Sequence, residues 1–185
     1  AVGFVLADVP VICDICNPAM ILKSIRGLRV DAVTSDQIEI ALLAASEVGR
    51  TLGLPHTARD VILRGTNKYL MRKCWKEAGI DIPRFACAKS EAEMLAFAGE
   101  FGFPVISKPL SSSGSRGVSV SRSPADVARA FAMASAVAGK PEIIVENFID
   151  GREYTAEAFS SGGKVTVLAV SQKLKPESQF QVATL

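Results

Sequence analysis

The sequence predicts an α/β fold class, and three observations carry that prediction. Strand-like and helix-like segments alternate over residues 1–58, and helix caps recur between residues 90 and 139. A strand, a Ser/Gly loop, a second strand, a helix and a third strand then follow one another within residues 103–147. The chain accordingly divides into an open parallel-sheet fragment over 1–58, connecting helices over 59–102, a small α+β lobe over 103–147, and the start of a further lobe over 148–185. Both ends read as lying inside larger units.

Taken in order, residues 9–15 are expected as a strand and 18–25 as a short helix stopped by Gly27. Residues 31–34 predict a second strand. Asp36 then caps a helix with Glu39 at its third position, and Gly53 ends that helix ahead of Pro55. A helix from Asp60 to Leu63 is expected to break at Gly65. Another, from Asn67 through Ala78, carries Lys68, Arg72, Lys73 and Lys76 and stops at Gly79. Ser90 and Glu93 form a capping box for the helix that ends before Gly102. Residues 104–108 and 118–120 predict strands. Ser123 with Pro124 starts a helix that closes at Gly139, and 142–146 is the next strand. Residues 152–159 and 164–171, joined by Ser160–Gly163, predict an antiparallel hairpin.

The 185 residues carry 21 basic and 19 acidic side chains, a formal charge of +2, and 49% hydrophobic residues. That balance gives no extended field, so neither nucleic acid nor an anionic membrane is expected as a partner. No uncharged apolar run approaches the roughly 18 residues a membrane span needs. The opening Ala1-Val2-Gly3-Phe4 lacks the basic segment of a signal peptide, so a cytoplasmic location is expected. Cys13 and Cys16 stand at CxxC spacing, but a tetrahedral metal site needs two more ligands, and Cys74, Cys87 and His56 are scattered. All four cysteines are therefore read as small buried hydrophobes, and no metal site is assigned to them.

Three segments carry chemistry. The first is Lys108-Pro109-Leu110-Ser111-Ser112-Ser113-Gly114-Ser115-Arg116-Gly117-Val118, in which a lysine ends an apolar strand before a Ser/Gly loop. Glycines at 114 and 117 let the backbone fold tightly enough to aim several N–H groups at one anion, and Lys108 adds a formal charge. By itself the segment is equally well read as a mobile hairpin loop. The second is Thr66-Asn67-Lys68-Tyr69-Leu70-Met71-Arg72. It puts Lys68 in the first turn of a helix, where a cation opposes the macrodipole unless a polyanion lies nearby. A solvated basic face is the plainer reading of that lysine. The third runs from Ile143 through Glu146-Asn147-Phe148-Ile149-Asp150-Gly151-Arg152 to Glu153. Its connector can present backbone groups to the edge of a flat base, and the following carboxylate can hold a diol. Strand periodicity places Glu153, Thr155 and Glu157 on one face.

The order Asn67-Lys68, Lys108-Pro109, Gly114-Ser115-Arg116-Gly117-Val118, Glu146-Asn147-Phe148-Ile149 and Gly151-Arg152-Glu153-Tyr154 resembles the ATP-grasp superfamily. Within it, the sequence is similar to the branch holding amino-acid ligases, carnosine-synthase-like enzymes, biotin carboxylase and the large subunit of carbamoyl phosphate synthetase. The resemblance covers about residues 8–175. It implies that 1–58 is part of the α/β domain preceding the grasp, that 103–147 is the small lobe, and that 148–185 begins the large lobe.

The resemblance also implies roles. ATP lies between the lobes with Lys68 and Lys108 on its phosphates. Ser112, Ser113, Gly114, Ser115, Gly117 and Val118 belong to the flap that covers the triphosphate. Glu146, Asn147, Phe148 and Ile149 form the hinge at the adenine, Glu153 takes the ribose, and Lys173 stands near the γ-phosphate and the acyl acceptor as the catalytic lysine. The implied reaction is ATP-dependent joining of a carboxylate to an amine, with amino-acid-like substrates, through an acylphosphate. Carboxylation through a carboxyphosphate and a non-catalytic nucleotide-binding module are the alternatives. ATP and Mg²⁺ are the implied cofactors. The family's metal ligands lie on strands beyond the hairpin, past Leu185, and residues 180–185 lack the acid and His that many relatives carry there. The 185 residues alone are thus expected to hold nucleotide without turning it over. Small carboxylate and amine substrates are the expected partners, and a homodimer is compatible with the resemblance.

Overall fold

The computed structural model describes residues 2–35 and 38–174. The helix start expected at Asp36 and the stretch 180–185 lie outside them. Two compact units divide at Met71 and Arg72.

The first unit holds helices α1 (Val2–Leu6), α2 (Pro18–Ser24), α3 (Leu42–Thr51) and α4 (Arg59–Thr66), with a single 3₁₀ turn at Glu39–Ala41. Asn17 caps α2 by accepting the Met20 N–H at 3.1 Å, with Pro18 at the first helical position. Ala41, Ala44, Val48 and Ile62 are buried, and the Ser46 hydroxyl donates to Thr57 O at 2.6 Å. Gly65 does not interrupt α4, which runs through it to Thr66. A mid-helix glycine costs only about 1 kcal/mol, and packing overrides a penalty of that size.

Among the described residues, the first unit contains no strand ladder, so the parallel sheet expected over 1–58 is not formed there. Residues 9–15 and 31–34 are extended or bent but unpaired. Val11, Ile15 and Val33 instead join Ile21, Ile25 and Val48 around an apolar cavity of about 400 Å³. β-branched content reports a half-buried extended surface and does not supply a pairing partner, while Pro10 has no N–H to give a ladder.

The second unit contains most of helix α5 (Lys68–Glu77) and the strands β1 (Phe85–Ala88), β2 (Val105–Pro109), β3 (Ser119–Ser121) and β4 (Ile143–Asn147). They form an antiparallel sheet in the order β1-β4-β2-β3. Helices α6 (Glu91–Phe101) and α7 (Val127–Ala138) pack on it and on each other. The Ser90 capping box is formed, with Glu93 N–H donating to Ser90 Oγ at 3.2 Å and Lys89 N–H donating to Glu93 at 2.8 Å. Strand alternation decides which side chains meet the helices. Val105, Ile143 and Val145 join Met94, Phe97, Ala98, Val127, Ala130 and Ala134 in one apolar cluster. Ile106, Lys108, Ile144 and Glu146 therefore belong to the opposite face.

A second, two-stranded sheet pairs β5 (Tyr154–Ser161) with β6 (Lys164–Gln172), as the sequence predicts, with a bulge between Glu157 and Ala158. Both sheets are antiparallel within a mixed α/β chain. Cys13, Cys74 and Cys87 are half-buried, while Cys16 is exposed and not buried as expected. Among the described residues no helix is long and apolar enough to cross a membrane.

The core places a testable boundary on α6. Met94 is fully buried and its neighbour Leu95 is exposed. Met94→Ala is expected to lower unfolding free energy by about 2–4 kcal/mol and Leu95→Ala by less than about 1 kcal/mol in urea denaturation. Equal losses would contradict the face assigned to this helix.

Candidate functional site

The sheet face away from α6 and α7 carries the site. In the β2–β4 register Ile106 lies opposite Glu146 and Lys108 opposite Ile144, so Lys108 and Glu146 are diagonal neighbours on one face. Lys108 Nζ makes a salt bridge to Glu146 Oε2, and Arg72 Nε donates to Glu146 Oε1. Glu146 is 1% exposed, Lys108 17% and Arg72 19%. The Arg72 guanidinium also lies 5.0 Å from the centre of the Trp75 ring, a cation–π distance. Burial pushes the Glu146 carboxyl up, but the Arg72 guanidinium and the Lys108 ammonium outweigh it and hold the group below the usual carboxylate range.

Glu146 is expected at a hinge beside the adenine, and here its side chain is paired within the sheet face. Its carboxylate is spent on two cations within the sheet face, and the next residues are also engaged. Asn147 N–H donates to Arg84 O at 3.1 Å, Asn147 Nδ2 to Phe101 O at 3.3 Å, and Phe148 N–H to Pro104 O at 3.1 Å. Ile149 is exposed. Residues 146–148 are thus a braced strand end, held on both sides by backbone bonds.

The Ser/Gly loop leaves β2 directly after Lys108-Pro109. Ser112 Oγ donates to Arg116 O and Arg116 Nε to Ser113 O, both at 3.3 Å, and Val118 N–H donates to Ser115 O at 3.3 Å. Gly114 (φ 66°) and Ser115 (φ 54°) are consecutive left-handed residues. The two loop glycines differ in kind. Gly114 has open space where a side chain would go. Gly117 (φ 74°) is buried, and an added Cβ would lie 3.0 Å from Pro109 and 3.1 Å from Val137. The sequence reading gives both the same task of folding the loop tightly, whereas Gly117 also occupies a packed position.

Asn67 joins two helices. As N-cap of α5 its Oδ1 accepts from the N–H groups of Tyr69 and Leu70 at 3.0 and 3.1 Å. Lys68 follows as the first residue of α5, in the turn where the macrodipole disfavours a cation and with no acid in that turn. It belongs to the first unit, while Lys108 and the loop belong to the second.

At the base of the hairpin, Glu153 and Lys173 meet. Lys173 Nζ lies 2.8 Å from Glu153 Oε1, and Lys173 N–H donates to Glu153 O at 2.8 Å. The two ends of β5 and β6 therefore bring the expected ribose carboxylate and the expected catalytic lysine into one half-exposed ion pair. Sequence reasoning gave Arg72 no role, although it stands four residues after Lys68 on the same helix. Its partner lies 74 positions away, and no local pattern marks so distant a contact.

Among the described residues, no three His, Cys, Asp or Glu side chains converge in a group able to hold a metal ion. Mg²⁺ therefore has no fitting donor set among them.

Comparison with known proteins places these features in context. Residues 67–176 match the family described as "Carbamoyl-phosphate synthase L chain, ATP binding domain". The chain is 27% identical over 184 residues to a D-alanine–D-alanine ligase of Laribacter hongkongensis, covering 86% of this chain and 58% of that protein. Among solved structures it resembles the L-amino acid ligase of Bacillus licheniformis, with a TM-score of 0.72 at 22% identity, covering 88% of this chain and 37% of the ligase. It also resembles the ADP complex of an N5-carboxyaminoimidazole ribonucleotide synthetase, with a TM-score of 0.78 at 17% identity, covering 96% of this chain and 45% of that one. These likenesses to solved structures establish an ATP-grasp fold, and the chain spans less than two thirds of the proteins it matches.

Two measurements test the site. The stability contributed by a carboxylate with a lowered pKa is complete above its ordinary value near 4.3 and is lost as pH falls through the lowered one. Glu146→Gln should therefore cost about 2–4 kcal/mol at pH 7, and its deficit against wild type should shrink below about pH 4. A deficit that stays constant down to pH 3 would contradict the ionised pairing. For the loop, Gly117→Ala should destabilise by about 2–4 kcal/mol and Gly114→Ala by about 1–2 kcal/mol, because both force a left-handed Cβ but only residue 117 adds overpacking. Thermal melts that rank them the other way would contradict the packing role of Gly117.

Proposed function

The chain belongs to the ATP-binding-domain family of the carbamoyl-phosphate synthase L chain, and from that premise we propose that it is the nucleotide-binding part of an ATP-dependent ligase joining a carboxylate to an amine. On this reading residues 1–58 are part of the domain that precedes the grasp, 103–147 the small lobe, and 148–185 the start of the large lobe. The observation that carries the proposal is the ammonium of Lys108, held on the charged sheet face immediately before a loop with left-handed residues at 114, 115 and 117.

ATP brings about four negative charges, and the groups proposed to meet them are Lys68, Lys108 and the amides of residues 112–118. The Ser112 and Ser113 hydroxyls add donors as the flap closes. The hinge 146–149 abuts the base, and Glu153 turns from Lys173 to the ribose hydroxyls. Lys173, freed of that partner, stands against the γ-phosphate. An incoming carboxylate oxygen attacks the γ-phosphorus while the bond to the ADP oxygen breaks, which yields an acylphosphate and ADP. An amine then attacks the acyl carbon, and phosphate leaves with the bonding pair as the amine proton is lost. The protein's contribution is positioning and charge, because neither displacement needs a covalent enzyme intermediate. Mg²⁺ is proposed to share the phosphate charge, with ligands from outside the described residues. Amino-acid-like substrates are supported by the relatives named D-alanine–D-alanine ligase and L-amino acid ligase.

Titration calorimetry of the full-length protein with ATP tests the assignment. Lys108→Ala should weaken ATP binding by about 1–3 kcal/mol, the worth of a charge-assisted contact, while Lys140→Ala on the exposed surface should leave it unchanged. Unchanged affinity in Lys108→Ala would remove Lys108 from the nucleotide site. Phosphate release that depends on bicarbonate and not on an amine would redirect the chemistry to a carboxyphosphate.

A further inference from the structure

We infer that Arg72 is a positioning residue whose guanidinium keeps the buried Glu146 carboxylate paired while Lys108 changes partner from Glu146 to a nucleotide phosphate. The inference rests on the reading of Lys108 as a nucleotide ligand and adds to it a condition on how that lysine becomes available.

The cluster holds two cations and one anion, so it carries a surplus positive charge. One cation suffices for Glu146, and the other is the group that an incoming anion can take. The side chains differ in which of them can leave. Arg72 is fixed by its Nε bond to Glu146 Oε1 and by its position over the Trp75 ring. Its planar group loses little freedom in staying there. Lys108 presents a compact ammonium at the end of a flexible four-carbon stem, on Oε2 of the same carboxylate. Release of Lys108 from a lone pair with Glu146 would strand a carboxylate that is 1% exposed, and an uncompensated buried charge is strongly unfavourable. With Arg72 in place, the carboxylate keeps a charged donor throughout. Arg72 thus lowers the cost of moving Lys108 without touching the nucleotide.

The consequence is conditional: the importance of Arg72 for nucleotide binding exists only while residue 146 carries a charge. The test is ATP affinity by calorimetry on the full-length protein, with Arg72→Met made in both the wild-type and the Glu146→Gln backgrounds. Arg72→Met should weaken ATP binding about tenfold or more in the wild-type background, and by less than twofold when Glu146 is already Gln. Arg72→Lys, which keeps a cation, should stay within about threefold of wild type. A tenfold loss in both backgrounds, or no loss in the first, would overturn the inference. If Arg72→Met does not fold, as judged by its melt and circular dichroism, Arg72→Lys decides alone: affinity within threefold supports the role and a tenfold loss contradicts it. Failure of the underlying reading looks different, because Lys108→Ala would then leave ATP affinity unchanged whatever Arg72 does.

Discussion

A carboxylate with almost no access to water organises this protein's second unit. Glu146 sits on one of the two central strands of a four-stranded sheet, and its ionised form is tolerable only because an ammonium and a guanidinium arrive on its two oxygens. The rest follows from satisfying that charge. Lys108 must be on the neighbouring strand at the diagonal position, and the first turns of α5 must bring Arg72 to the same face. A buried ion triad of this kind adds little stability beyond what an apolar replacement would give. With two cations on one carboxylate, it leaves this face with a surplus positive charge.

The two faces of the sheet divide the labour. One is filled by Met94, Phe97, Val105, Val127, Ile143 and Val145, which fix the strands against the helices. The other carries the charges, so the charged side chains inherit the rigidity of a packed core without occupying it. The Ser/Gly loop begins where β2 ends, and Gly117 packs its far end against Pro109 and Val137. The loop is thus packed at residue 117, while Gly114 has open space around it. At the hairpin, the Glu153–Lys173 pair keeps two opposite charges matched in a half-exposed position, where exchange for other partners costs little.

Much of the second unit was legible in the sequence because its signals are local. The Ser90–Glu93 box, Pro124 after Ser123 and the Ser160–Gly163 turn each fix an element through neighbours a few residues away. The strands over 104–108, 118–120 and 142–146 were placed within one residue of where they form. Long-range pairings were not legible. Residues 85–88 are too short and too mixed to signal a strand, and they form one only by pairing with β4 some 60 positions later. Residues 9–15 have the composition of a strand but meet no ladder among the described residues. The site shows the same division. Motif order singled out Lys108, the Ser/Gly loop and Glu146 individually. That Glu146 holds Lys108, that Arg72 holds Glu146, and that Glu153 holds Lys173 are facts of register and topology, which a linear pattern does not contain.

The central claim is that the Lys108 ammonium rests on Glu146 and is drawn off it by a triphosphate. Lysine-selective ¹⁵Nζ NMR reads that ammonium directly. A carboxylate-bound Lys108 should give a slowly exchanging Nζ–H signal without nucleotide. The signal should disappear in Glu146→Gln and shift to a new, still protected position when ATP is added. A Lys108 resonance that exchanges freely without nucleotide, or one that ATP leaves unmoved, would contradict the account.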